Sequence, residues 1–193
     1  MTATREGWLD AATDLLRPEL EARAGVTLPP VVRVSCGFPS RRGMSQKNRA
    51  LGECWAGKPN RDVFISPVLD DPLDVGHVLT HELLHAALPV GTGHGGPFKR
   101  AAKGCDLGGK PTRTVRTPEL DAWLGPLLAP LGPYPHQRID RAAGRKPQKT
   151  RLIKVHCTSL WRGCDYIIRT TRTPLDLYGA PICPNCNEQM TEA

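Results

Sequence analysis

Aromatic residues make up only 5% of the 193-residue chain, and no apolar run approaches the roughly 18 residues that a membrane span requires. With 39% apolar residues overall, the chain can bury one ordinary core and carry a smaller appended module. The first thirty residues carry scattered charges where a signal peptide would have an apolar block, so a cytoplasmic protein with no membrane attachment is expected. Internal repeats and long low-complexity tracts are also missing. Acidic side chains are scarce between residues 137 and 172, where ten Lys and Arg stand against Asp140 and Asp165 alone. That stretch holds an excess of +8 in a chain whose formal charge is +7, so the remainder is close to neutral. Such concentration suits either a solvated basic linker or a segment that binds a polyanion, gaining affinity by counterion release.

What is present divides the chain. Residues 4–24 place Trp8, Ala12, Leu15, Leu16 and Leu20 at helical spacing, and Gly25 supplies a stop. Residues 31–38 and 63–66 are short β-branched runs and read as strands, with a basic, polar loop over 40–52. Asp70, Asp71, Pro72 and Asp74 form a helix start, predicting a helix over 73–88. Glycines and prolines from Pro89 to Pro97 end it and permit a reversal, after which residues 98–105 restart as a short helix. Residues 117–131 read as a further helix bent by Pro126 and Pro130. The resulting division is a folded domain over 1–132, a basic Pro/Gly-rich linker over 133–150, and a small unit over 151–193.

Inside the second helix lies His81-Glu82-Leu83-Leu84-His85. Residues four apart share a helix face, so the two imidazoles can grip one ion while Glu82 is turned toward a water beside it. Glu82 is then the general base, taking a proton from the attacking water and passing it to the leaving amine. A catalytic zinc commonly takes three protein ligands, so one more is needed. His77 shares the helix face, but it stands roughly 12 Å along the axis from His85, too far for one ion. His94, beyond the glycine-rich reversal, is the expected third ligand, with Asp106 or Glu119 as alternatives.

Seven cysteines without a secretory signal point to metal more than to disulfides, because four of them cluster near the end of the chain. Cys183-Pro-Asn-Cys186 is one metal knuckle, and Cys157 with Cys164 supplies the other across a wider spacing, giving a four-cysteine zinc ribbon with a structural zinc ion. His156 is an alternative ligand. Cys36, Cys54 and Cys105 receive no role. Arg145, Lys146, Lys149, Arg151, Lys154, Arg169 and Arg172 are the cations available to nucleic-acid phosphates. Trp161, in the wide knuckle, either packs or stacks on an unpaired base.

Residues 81–99, with H-E-L-L-H followed by G-H-G-G-P-F-K, resemble the metal site of the SprT-like (Spartan) metalloprotease family. The likeness is specific over residues 52–100 and 154–186, where the family also often ends in a zinc ribbon. It implies an α+β zincin-type core, a third zinc ligand at His94, and a zinc metalloendopeptidase acting on DNA-associated or DNA-crosslinked proteins. A monomer with two zinc ions, one catalytic and one structural, is the corresponding expectation. Family members of this size occur in bacteria and their phages. Two other classes remain open: a nucleic-acid-binding or transcription-associated adaptor with little or no activity, and a metal-dependent hydrolase of small amides.

Overall fold

The computed structural model describes residues 4–45, 47–56, 60–140, 152–159 and 163–193. It is an α+β protein that separates into two units, residues 1–141 and 142–193. Among the described residues, no helix is long and apolar enough to cross a membrane.

In the first unit, helix α1 (Arg5–Ala24) begins where the Thr4 hydroxyl accepts from the Gly7 amide at 3.0 Å, and it ends where Gly25 takes a left-handed φ of 64°. Its buried stripe is Trp8, Leu9, Ala12, Leu16 and Leu20. That stripe covers a three-stranded sheet of β1 (Val32–Cys36), β2 (Gly52–Ala56) and β3 (Arg61–Ile65) in the order β1-β3-β2. β1 runs parallel to β3, whereas β2 is an antiparallel edge strand with Cys54 opposite Val63. Val34, Val63 and Ile65 point into the core, while Trp55 is left 55% exposed.

Helix α2 (Pro72–Ala87) crosses the same face of the sheet and is buried on nearly every side, from Val75 and Val78 through Leu79, Leu83 and Leu84. The Asp71 carboxylate caps it, accepting from the amides of Leu73 and Asp74 at 3.0 and 2.9 Å. Arg116 reaches Asp74 at 2.7 Å and Asp121 at 2.8 Å, tying the start of α2 to the start of α4 (Pro118–Leu128). A Cβ on Gly76 would lie 2.6 Å from Leu128 Cδ1, so glycine is what lets α4 approach α2 this closely. Helix α3 (Gly96–Gly104) follows the reversal, and a hairpin of β4 (Gly108–Lys110) and β5 (Arg113–Val115) precedes α4.

Three strands and one packed tail depart from the sequence-based division. Neither β2 nor the β4–β5 hairpin is expected from apolar alternation. Residues 133–140, assigned to a linker on composition, lie against the first unit. There Tyr134 is buried edge-on to Trp8 with ring centroids 5.2 Å apart, and the His136 ring lies 2.8 Å from the Pro67 carbonyl oxygen through Nε2.

The second unit holds β6 (Ile153–His156), β7 (Ile167–Thr170) and β8 (Thr191–Glu192) in the order β7-β6-β8, with a short helix α5 (Arg172–Tyr178). Its core is small: Val155, Cys157, Cys183 and Met190. So few apolar side chains offer little folding free energy of their own, and a metal staple would offset that.

Candidate metal centres

α2 carries His81 and His85 one turn apart on the face that meets the start of α3. The loop between the helices returns His94 to them, so the Nε2 atom of His94 stands 3.1 Å from that of His85 and 3.4 Å from that of His81. Two nitrogens bound at about 2.05 Å in a tetrahedral arrangement stand about 3.3 Å apart, so the spacing fits one zinc-sized ion. Phe98 of α3 is fully buried against this cluster, stacked on His85 with centroids 4.3 Å apart and 4.9 Å from the His81 ring.

Glu82 lies under β2, lines the same cavity as the three histidines, and is only 6% exposed. A Cβ on Gly52 would meet its Cγ and Oε1 at 2.6 Å, so the strand can lie over the carboxylate only because residue 52 has no side chain. Burial first, and then the Glu53 charge, pushes the Glu82 carboxyl up to about 8. Burial, reinforced by the other imidazoles, pushes His81 down to about 3 and His85 down to about 4, and burial also lowers His94. Three neutral imidazoles therefore present lone pairs to a common point, which is the form in which histidine binds a metal.

His81 Nδ1 lies 3.0 Å from Thr114 Oγ1, and the same hydroxyl lies 3.1 Å from His77 Nε2. His77 is thus excluded from the ligand group, as the axial distance requires, and bonds to the hairpin. Asp106 instead faces Arg23 at 3.7 Å, and Glu119 sits in the exposed first turn of α4. A cavity of about 580 Å³ opens over the site, with β2 on one side, Thr112 to Thr114 on the other, and the histidines and Glu82 between.

In the second unit the sulfurs of Cys157, Cys164, Cys183 and Cys186 lie within 4.8 Å of one another. Those of Cys164 and Cys183 are 3.8 Å apart, and two thiolates bound to tetrahedral zinc at about 2.3 Å stand about 3.8 Å apart. The tight turn at Cys183 is held by its amide donating to the Glu188 carbonyl at 2.8 Å and its own carbonyl accepting from the Asn187 amide at 2.9 Å. His156 is outside the group. Both donor sets, three imidazoles in the first unit and four thiols in the second, can hold a metal ion.

Cys105 is buried and Cys54 half-buried, and desolvation pushes both thiols up to about 12, which disfavours the reactive thiolate. Lys154 and Arg169 are exposed and directly opposed across β6 and β7. Arg172 has both its terminal nitrogens on Glu192, at 2.9 and 2.5 Å, so its charge is already answered. Arg145, Lys146, Lys149, Arg151 and Trp161 lie outside the described residues. β2, Thr114 and Gly52 are the parts of the first site that pattern reading misses, because each matters only through a tertiary neighbour.

No protein-family model matches the chain, and no curated protein or solved structure matches it.

Proposed function

We propose that the chain is a zinc-dependent endopeptidase of SprT-like type, with His81, His85 and His94 as ligands and Glu82 as general base. The observation that carries this reading is the convergence of three neutral imidazole nitrogens beside a buried carboxylate, under a cleft bordered by an edge strand. A zinc ion held by these residues would supply Lewis acidity toward the peptide carbonyl and make water acidic enough to be deprotonated near neutral pH.

The rest falls to the chain's own residues. Glu82 shares a helix with two ligands, so its carboxylate is fixed relative to them and can take a proton from the attacking water and return it to the leaving amine. Its burial excludes bulk water and keeps its basicity high. β2 pairs only with β3 among the described residues, and Gly52, Glu53 and Cys54 line the cavity. An extended peptide can add to such an edge through main-chain hydrogen bonds, which favours a protein substrate over a small amide.

Of the second unit we propose that four thiolates hold a structural zinc in a ribbon and that Lys154 and Arg169 meet phosphates, drawing the peptidase to DNA-associated proteins. Like charges directly opposed across strands destabilise a sheet, and an anion bound between them would relieve that cost. The same observation favours the second reading, a nucleic-acid-binding adaptor.

Cleavage of casein and of the chain itself by zinc-loaded protein, with and without single-stranded DNA, separates the two. Turnover in the wild type and its loss in Glu82→Gln, with zinc content retained, is the expected result. DNA binding without cleavage under any condition would replace the peptidase with the adaptor.

A further inference from the structure

Beyond the ligands and the general base, one arrangement in the first unit has a direction built into it: the line from His81 through Thr114 to His77. We infer that Thr114 is a positioning residue that fixes the tautomer and ring orientation of His81 for metal binding, with His77 as the acceptor that fixes Thr114. The inference rests on the ligand assignment above and goes beyond it, to a hairpin residue that touches no reacting atom.

The number of protons available sets the direction. The Nε2 atom of His81 faces His94 Nε2 at 3.4 Å and must keep its lone pair free to act as a ligand. A neutral imidazole carries one N–H, so the proton of His81 sits on Nδ1 and donates to Thr114 Oγ1 at 3.0 Å. A threonine hydroxyl has one proton of its own, and with His81 donating to it that proton is free to go to His77 Nε2 at 3.1 Å. His77 is 9% exposed and can accept there only as the Nδ1–H tautomer. Each bond dictates the direction of the next.

Thr114 is held in this position from outside α2. It lies in β5 opposite Gly109 of β4, whose φ of 76° is a backbone conformation that glycine adopts at no steric cost. His77 thus has a function without being a ligand: it makes the Thr114 hydroxyl point one way. Partners of this kind around metal-binding histidines commonly change metal affinity by about 10- to 100-fold when removed.

The test compares Thr114→Val, which keeps the shape and removes the hydroxyl, with Thr114→Ser, which keeps the hydroxyl. Zinc is titrated into metal-free full-length protein against a competing chelator. The histidine step is identified as the one lost in His85→Ala. Thr114→Val should weaken that step by about 10- to 100-fold, Thr114→Ser by no more than a few-fold. The melting of the metal-free protein, read alongside, should differ little between the two variants.

Equal zinc affinity in wild type and Thr114→Val would overturn the positioning role. Equal weakening in both variants would do the same, since the hydroxyl is then not what matters. A wild type with no histidine step would remove the ligand assignment itself, a failure distinguishable from the other two because it appears before any variant of Thr114 is made.

Discussion

Glu82 is a carboxyl placed where a charge is costly, and that cost has a measurable sign. Its folded pKa of about 8 lies above its ordinary 4.5, so between those values the metal-free folded state keeps a proton that the unfolded chain releases. Unfolding free energy attributable to this residue therefore falls as pH rises from about 4.5 to about 8. Glu82→Gln removes the dependence. In chelator-stripped protein the variant should gain stability relative to the wild type across that window, by about 2–3 kcal/mol near pH 7, in urea unfolding at several pH values. A wild-type-to-variant difference that stays flat from about pH 5 to about pH 8 would mean the buried carboxyl is not strained. The price of this arrangement in the resting fold is what leaves a strong base beside three cation-seeking imidazoles.

The helices and the β-branched strands β1 and β3 were legible, whereas β2 and the β4–β5 hairpin were not. α1 announces itself through apolar spacing and Gly25, α2 through the start signals Asp70, Asp71 and Pro72, and α3 through the glycine-rich stretch after Pro89. His81, Glu82 and His85 follow from the helix alone, and His94 from the turn that ends it. β2 is hidden because its first residue is Gly52 and its one large side chain, Trp55, faces outward. It pairs with β3 and its first residue lies against Glu82, tertiary neighbours that no local pattern reveals. The hairpin that brings Thr114 to His81 is equally short and begins with two glycines. Residues 133–140 look like a linker because their composition is poor in apolar side chains, yet Tyr134 finds Trp8 across more than a hundred residues. The importance of β2 can be tested without touching a ligand. Gly52→Ala drives a methyl to 2.6 Å from the Glu82 carboxylate. Turnover should then fall by about 10- to 100-fold with zinc content unchanged. Full activity in that variant would show that the strand can move aside.

For the molecule as a whole, charge is distributed as unevenly as structure. The first unit gathers neutral imidazoles at the floor of its cavity, whereas the cations gather in the basic stretch and on the sheet of the second unit, where Lys154 and Arg169 stand side by side. Replacing both with Gln should lower the salt slope of single-stranded DNA binding by about 1.4, at about 0.7 for each phosphate no longer neutralised. An unchanged slope at several salt concentrations would take these two residues out of the interface. The edge strand β2 has a consequence for the protein in quantity. An edge open enough to accept a peptide is also a template for a second copy of the same chain, the usual route from a soluble sheet protein to aggregates. β2 limits that hazard by being five residues long, by opening with a glycine and by carrying the Glu53 carboxylate. If the cleft takes a peptide as proposed, substrate access and resistance to self-association compete for the same few residues of β2, the strand that lines the cavity over the histidines.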